Sequence, residues 1–100
     1  EEESYSLQHL EVDEEYQQLV EKFKERTKMM MKEMGEYVAA NDMKNLAGVS
    51  HTLKGLGGSF GFPEVTELSG SLEQAARDSD QAMSEDVFSR LNAFVQANVI

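Results

Sequence analysis

One histidine of this chain, His51, has neighbours that could support chemistry. It opens the stretch HTLKGLGGSFG, residues 51–61, and Lys54 follows it by one helical turn. A neutral imidazole presents a ring-nitrogen lone pair that can act as a nucleophile near neutral pH. A lysine one turn away can balance the negative charge of a group attached to that ring. The pair indicates a site that accepts and donates an anionic group such as a phosphoryl group.

Small residues surround this histidine. On a helix that turns by about 100° per residue, the side that carries His51 also carries Lys44, Ala47, Gly48, Lys54, Gly55 and Gly58. Each glycine inside a helix costs about 1 kcal/mol relative to alanine. Glycines kept at that cost beside an exposed ring predict a stretch of bare backbone that another protein can approach closely. We therefore interpret Lys44, Ala47, Gly48, Gly55 and Gly58 as a partner-docking surface.

The alternative is that His51 is an ordinary surface histidine and that the glycines mark tight helix packing. Gly57 points about 120° away from His51 and fits that explanation, so we expect it to lie against a neighbouring helix. Packing does not explain why small residues bracket the ring on its solvent side while the apolar stripe on the far side is intact. Such local violations of helix propensity are expected at functional sites.

The apolar residues recur with a helical period, which predicts four amphipathic helices and no strand. The first begins at an N-cap on Asp13 and runs to about residue 41. The second is capped by Asn41 or Asp42 and closes at Gly61. Residues 1–12 are expected to form an acidic N-terminal lead-in, with at most one short helical turn.

The third helix is expected to have Pro63 at its first position, where a missing N–H is tolerated, and to end around Ser79. The fourth covers about residues 81–98. Because the links are short, the four helices predict an all-α, antiparallel, up-down four-helix bundle over residues 13–100.

The composition excludes several classes of function. The chain has 100 residues, no cysteine and a net charge of −10. One domain of this size without thiols has no disulfides or thiolate metal sites, and a reducing compartment suits it. The negative charge argues against nucleic acid or an anionic membrane surface as a partner, since both require a basic footprint. No signal peptide is visible, and the start at Glu1 suggests a piece of a longer protein.

No second catalytic residue, phosphate-binding glycine loop or metal-ligand cluster accompanies His51. The other histidine, His9, has no spacing to His51 that would let both hold a metal ion. The residues therefore predict a group acceptor and donor without a metal or cofactor of its own, which relies on a partner for the rest of the reaction.

The stretch from His51 resembles the phosphoacceptor signature of histidine-containing phosphotransfer domains. That signature is a histidine, any residue, an apolar residue, Lys-Gly, and a glycine that closes the helix ten residues after the histidine. Here these are His51, Leu53, Lys54, Gly55 and Gly61. The resemblance covers about residues 13–98, including PEVTELSGSLEQAARD after the signature. It implies a four-helix bundle that relays phosphoryl groups in two-component signalling.

The resemblance also implies a role for each matching residue. His51 would accept a phosphoryl group at its outer ring nitrogen from the aspartyl phosphate of one receiver domain and pass it to the aspartate of another. Lys54 would neutralise the phosphoryl oxygens, unless it is only a solvated lysine. Gly55 and Gly58 would give clearance. Glu73 matches a position from which a Gln or Glu reaches toward the imidazole and orients it, although an ordinary surface glutamate is the alternative.

The partners implied are receiver domains of response regulators or hybrid kinases, which would supply the Mg²⁺. No nucleic acid and no direct membrane contact are expected, and the domain is expected to be monomeric. The resemblance and the missing initiator methionine suggest the cytoplasmic, C-terminal domain of a membrane-bound hybrid sensor kinase. Such a domain would have no kinase activity of its own.

Two other classes of function compete with the relay. A docking module would bind receiver domains without transferring anything, but it would not need the intact His51 and Lys54. A histidine phosphatase or metal hydrolase would need a second general acid or base or a ligand set, and the sequence shows neither.

Overall fold

The structure is a computed structural model that describes the backbone of residues 2–100 and the side chains of residues 14–100. It contains four helices: α1 (Glu2–Ala39), α2 (Met43–Ser59), α3 (Pro63–Arg77) and α4 (Gln81–Asn98). Each helix packs against the next one along the chain, and α4 packs against α1. The predicted all-α, antiparallel, up-down four-helix bundle is thereby confirmed.

The first helix begins earlier than the sequence pattern predicts. It starts at Glu2, so Asp13 lies inside α1 and does not cap it, and residues 2–12 are helical instead of an irregular lead-in. The apolar period that predicts the helix is weak in this segment. However, Glu, Gln and Leu are good helix formers, and no glycine or proline interrupts the segment. Residue propensity therefore favours a helix in this segment even though the apolar period does not indicate one.

The three turns of the bundle end their helices in the same way. In each turn a residue in the left-handed region follows the helix, and the next N–H bonds back to a carbonyl five residues earlier. The left-handed residues are Asn41 (φ 54°), Gly61 (φ 80°) and Ser79 (φ 54°). The closing bonds run from Asp42 to Tyr37 (2.8 Å), Phe62 to Gly57 (2.9 Å) and Asp80 to Ala75 (2.9 Å). This motif reverses the chain within a few residues, which keeps consecutive helices adjacent and antiparallel.

Two of the turns also carry an N-cap for the next helix. Asp42 accepts a hydrogen bond from the backbone N–H of Asn45, and Asp80 accepts one from that of Met83. The third helix has no side-chain cap and instead has Pro63 at its start, as predicted. Of the two residues predicted to cap α2, the structure selects Asp42.

The core takes side chains from all four helices. Its largest fully buried members are Met34, Leu46, Leu53, Leu72, Leu91, Val65, Val87 and Val95. Four small polar residues are also fully buried, namely Thr27, Ser50, Ser69 and Ser84. Three of the four hydroxyl groups have a hydrogen-bond partner, but the Ser69 hydroxyl has none among the described residues. Small side chains at these positions let the helices approach closely.

The apolar stripe of α1 continues past the core. Tyr16 and Leu19 recur with the helical period of the other apolar residues of α1, a pattern that predicts burial. They are nevertheless 58% and 54% exposed, and among the described side chains the first core residue of α1 is Phe23. At about 1.5 Å per residue, the 38 residues of α1 are more than twice as long as the 17 residues of α2. The shorter helices therefore leave α1 uncovered at Tyr16 and Leu19. No helix within the described backbone is long and apolar enough to cross a membrane.

The second and third helices make the closest contact at Gly57. A Cβ atom at this position would lie 2.8 Å from Cγ1 and 3.0 Å from Cβ of Val65, and 3.2 Å from the backbone nitrogen of Thr66. Gly57 is buried as well. The prediction that Gly57 packs against a neighbouring helix is confirmed. This contact fixes the distance between α2, which carries His51, and α3, which carries Glu73.

Candidate functional site

His51 lies near the middle of α2 and faces solvent. Its side chain is 68% exposed, whereas Ser50 and Leu53 on the opposite side of the helix are fully buried. The predicted orientation of the ring is confirmed. Because the core residues of α2 hold the helix in place, the imidazole projects from a rigid element.

The third helix brings Glu73 to the inner nitrogen of this ring. Nδ1 of His51 lies 3.2 Å from Oε2 and 3.3 Å from Oε1 of Glu73. The side chain of Glu73 is only 10% exposed. The alternative of an ordinary surface glutamate is therefore wrong, and Glu73 lies where an imidazole-orienting residue is expected.

A second partner, Arg77, holds the Glu73 carboxylate from the other side. Its Nη2 and Nε atoms donate to Oε2 of Glu73 at 2.7 and 3.1 Å. The two residues are four positions apart and therefore lie on the same face of α3. Buried carboxylates are stable only when paired. The guanidinium of Arg77, which is itself 60% exposed, provides that pairing.

These contacts determine the charge of Glu73. The hydrogen bond from Arg77 lowers its pKa most strongly, burial opposes the shift, and the hydrogen bond to His51 lowers the pKa further. The net result is a pKa below the ordinary 4.5, so Glu73 is a carboxylate near neutral pH.

An ionised carboxylate accepts hydrogen bonds and donates none. The proton of a neutral His51 ring must therefore lie on Nδ1, which donates to Glu73. The lone pair is then on Nε2, on the outer edge of the exposed ring. The site thus presents a nucleophilic nitrogen to solvent in a defined orientation.

Lys54 lies one turn beyond His51 and extends across α3. A Cβ atom on Gly70 would lie 3.6 Å from Cδ and 3.7 Å from Cε of the lysine, so the aliphatic chain of Lys54 crosses α3 where no side chain obstructs it. Thr66 also donates to the backbone carbonyl of Lys54 at 3.1 Å. Among the described side chains Lys54 makes no ion pair, which leaves its ammonium group available to an anion near His51.

The glycines around His51 differ from Gly57 in what surrounds them. A Cβ atom on Gly48 or Gly55 would have no heavy atom of another part of the protein within 4 Å, and one on Gly58 would lie 3.5 Å from Oγ1 of Thr66, an ordinary contact. Packing therefore does not require glycine at any of these three positions. They leave open space beside the imidazole, as the partner-docking interpretation expects.

One residue of the predicted docking surface is buried instead. Ala47 is 8% exposed and belongs to the hydrophobic core. On the helix it lies between His51 and the Gly57 side, which α3 covers, so the neighbouring helix takes up its surface. Lys44, two turns before His51, is exposed and stays on the docking face.

A shallow groove between α1 and α2 adjoins the site on its other flank. It is lined by Arg26, Met29, Met30, Glu33, Val49 and Thr52. Met29 is 64% exposed and would give a docked partner an adaptable apolar contact. Pattern reasoning did not identify this groove, because it is formed by residues of two helices whose relative rotation the sequence does not show.

The sequence pattern also did not assign Arg77 to the site. Its spacing of four residues after Glu73 is a signal for an ion pair on a helix, but only the burial of Glu73 makes the pair part of the site. Within the described side chains, no group of three or more histidine, cysteine or acidic residues is placed to hold a metal ion.

Comparison with known proteins gives one match. The family model of the Hpt domain matches residues 18–98. No curated protein and no solved structure matches the chain.

Proposed function

The chain belongs to the Hpt domain family and is a phosphotransfer module of two-component signalling, and on that basis we propose that His51 is its phosphoacceptor. In the proposed relay, His51 takes a phosphoryl group from the aspartyl phosphate of one receiver domain and passes it to the aspartate of another. The observation that carries this proposal is the exposed Nε2 of His51 opposite an Nδ1 that contacts the Glu73 carboxylate.

The phosphoryl transfer forms one bond to phosphorus and breaks one, and no proton has to move to solvent. The lone pair of Nε2 attacks phosphorus, the bond from phosphorus to the aspartyl oxygen breaks, and its electron pair returns to the receiver carboxylate. The proton on Nδ1 stays on the ring, which becomes cationic, and the Glu73 carboxylate 3.2 Å away stabilises that charge. The return step reverses these changes, with a receiver aspartate as the acceptor.

Lys54 contributes a mobile positive charge to the same group. Its ammonium group, one turn from the ring, would neutralise phosphoryl oxygens as they arrive at Nε2. The receiver would supply the Mg²⁺ and the remaining electrostatic stabilisation. Hpt domains have no kinase activity of their own, so the phosphoryl group must come from a partner.

The docking surface consists of the open backbone at Gly48, Gly55 and Gly58 together with Lys44. A receiver must place its aspartyl phosphate within attack distance of Nε2, and side chains at the three glycine positions would stand in its way. Retaining Gly48 and Gly55, where packing does not need them, costs about 1 kcal/mol each. Close approach of a partner explains that cost.

The test is phosphoryl transfer from labelled, phosphorylated receiver domains to the protein and to a His51→Gln variant. Label should move only to the protein with His51, and the product should be labile to acid and stable to alkali, as a phosphohistidine is. Because His51 is exposed, the variant should keep the helical circular dichroism and the melting temperature of the parent.

A panel of receivers that bind the protein but transfer no label would overturn the relay and favour the docking module. Label that still moves to the His51→Gln variant would assign the acceptor to another residue.

The clearance role is tested separately with Gly55→Gln. This variant should fold normally, since nothing surrounds the position, but should accept the phosphoryl group from receivers much more slowly. Ala93→Gln, on the exposed surface of α4, is the matched control and should transfer normally. Equal transfer by the two variants would remove the clearance argument.

A further inference from the structure

We propose that Arg77 is a positioning residue of the phosphoacceptor site, which holds the Glu73 carboxylate against Nδ1 of His51 so that Nε2 remains the reacting nitrogen. The inference rests on the proposed function of His51 and assigns a role to a residue that does not touch the ring. It is carried by the chain of contacts from Arg77 through Glu73 to His51.

The carboxylate of Glu73 has few hydrogen-bond partners that could hold it in place. Within the described side chains, its carboxylate has hydrogen bonds only with His51 and Arg77. Arg77 binds one oxygen, Oε2, through two nitrogens, and these charge-assisted hydrogen bonds anchor that oxygen. Without Arg77, a carboxylate that is 10% exposed would be held by the imidazole alone, and it would turn toward water or take up a proton.

The position of the ring proton matters for both directions of transfer. When the Nε2–phosphorus bond breaks, its electron pair returns to Nε2. If Nδ1 carries a proton, the leaving group is neutral imidazole, whereas without that proton it would be the far more basic imidazolate anion. A carboxylate fixed at Nδ1 keeps the proton in place during acceptance and release. The role of Arg77 is to keep that carboxylate in position.

The charge of Arg77 serves a second purpose in the same arrangement. A bare carboxylate near the ring would repel the anionic phosphoryl group, and the guanidinium balances it. The other charged groups on this side are Lys54, which crosses α3 at Gly70, and Lys44 on α2. From α1, Arg26 and Glu33 line the groove on the other flank of α2 together with Thr52. Arg77 is the charged partner that contacts Glu73 directly.

The experiment uses phosphoramidate, a small phosphodonor that needs no receiver. Nε2 attacks its phosphorus, the phosphorus–nitrogen bond breaks, and ammonia leaves with a proton from solvent. The variants are Arg77→Met, Arg77→Lys and Glu73→Ala, with Arg77→Met also made in the Glu73→Ala background. Arg90→Met is the matched control, because Arg90 pairs with Asp86 four residues earlier at 2.9 Å on α4, and its side chain is likewise 60% exposed.

Two readouts distinguish positioning from a general structural effect. Nitrogen-15 spectra of the His51 ring report which nitrogen carries the proton, and the rate of phosphohistidine formation reports reactivity. Arg77→Met should reduce the fraction with the proton on Nδ1 and slow phosphorylation on the order of tenfold, the lower end of the effect of losing an outer partner of a metal-bound histidine. Arg77→Lys should recover part of the rate, and Arg90→Met should match the parent.

The double variant tests whether Arg77 acts through Glu73. In the Glu73→Ala background, Arg77→Met should cause no further loss, since the group that it positions is gone. The titration of the Glu73 carboxyl group gives a third readout. Because the hydrogen bond from Arg77 lowers the pKa of Glu73, that pKa should rise in Arg77→Met, as measured by carbon-13 spectra of the carboxyl group against pH.

An Arg77→Met variant with the parent's tautomer ratio and rate would overturn the proposal, and so would an equal loss in the Glu73→Ala background. Transfer from receiver domains tests the proposed relay separately from the role of Arg77. If phosphoramidate labels His51 in an Arg77-dependent way while no receiver does, the positioning role is supported and the relay proposal fails.

Discussion

Replacing Gly57 with alanine should destabilise the bundle, although the same change normally stabilises a helix. In an open helix, Gly→Ala contributes up to about 1 kcal/mol. At Gly57, the added Cβ would lie 2.8 Å from Cγ1 and 3.0 Å from Cβ of Val65, and 3.2 Å from the backbone nitrogen of Thr66. Two of these three atoms are fixed to the backbone of α3. A rotamer change therefore cannot relieve the contact, and the two helices must move apart.

The magnitude follows from these opposing effects. Overpacking of a well-packed core costs about 1–3 kcal/mol, and a clash with fully buried Val65 belongs in the upper part of that range. After the gain in helix propensity, Gly57→Ala should lower the free energy of unfolding by about 1–2 kcal/mol. Gly55→Ala, where nothing lies within 4 Å, should raise it by about 0.5–1 kcal/mol.

Urea unfolding followed by circular dichroism measures both variants, and thermal melts provide a check. The two melting temperatures should lie on opposite sides of the parent, with shifts of about 4–8 °C per kcal/mol for a domain of this size. The reasoning is refuted if Gly57→Ala is as stable as Gly55→Ala, because the close contact between α2 and α3 would then be incorrect.

Three further predictions concern other parts of the molecule. Lys54→Met should leave stability within about 0.5 kcal/mol of the parent but slow phosphoryl transfer from receivers, and a transfer rate equal to the parent's would exclude a charge role. The pKa of Glu73 is lowered below 4.5, so its stabilising contribution is complete above about pH 4.5 and is lost as the pH falls through the lower folded-state value. The stability advantage over Glu73→Gln in urea titrations should therefore shrink only below about pH 4.5, and an advantage that shrinks already near neutral pH would contradict the lowered pKa. Ser69→Ala should stabilise the protein by about 1 kcal/mol because the buried hydroxyl has no partner, and a loss of similar size in urea unfolding would indicate a missed hydrogen bond.

The elements of the fold could be predicted from the sequence because each carries local signals. Helical periodicity, Asn41 or Asp42 as the cap of α2, Pro63 at the start of α3 and Gly61 after α2 mark ends of the helices without reference to the rest of the chain. The start of α1 could not be predicted from periodicity, because the apolar period is weak over residues 2–12, which are nevertheless helical. Burial depends on which helices pack against a residue, and the apolar period does not show this. Tyr16 and Leu19 therefore follow the core pattern but are exposed.

In the candidate site, too, local features could be predicted from the sequence, whereas features that depend on the packing of the helices could not. The nucleophile, the lysine one turn later and the open glycines all lie on one helix, and a helical wheel places them correctly because the geometry of α2 is regular. Ala47 is the exception on that wheel, since its exposure depends on the position of α3. Glu73 could be assigned a role only from the family resemblance, as an interaction across 22 residues has no local signature.

Short-range periodicity and residue type are sufficient to predict the bundle, the exposed His51 and the bare backbone beside it. Which nitrogen of the ring is available depends instead on how the helices pack. That choice depends on how α3 is rotated and spaced against α2, with Gly57 setting the separation and Arg77 holding Glu73 at Nδ1. A proton's position on an imidazole is determined by whatever its other nitrogen contacts, and that contact comes from a different helix.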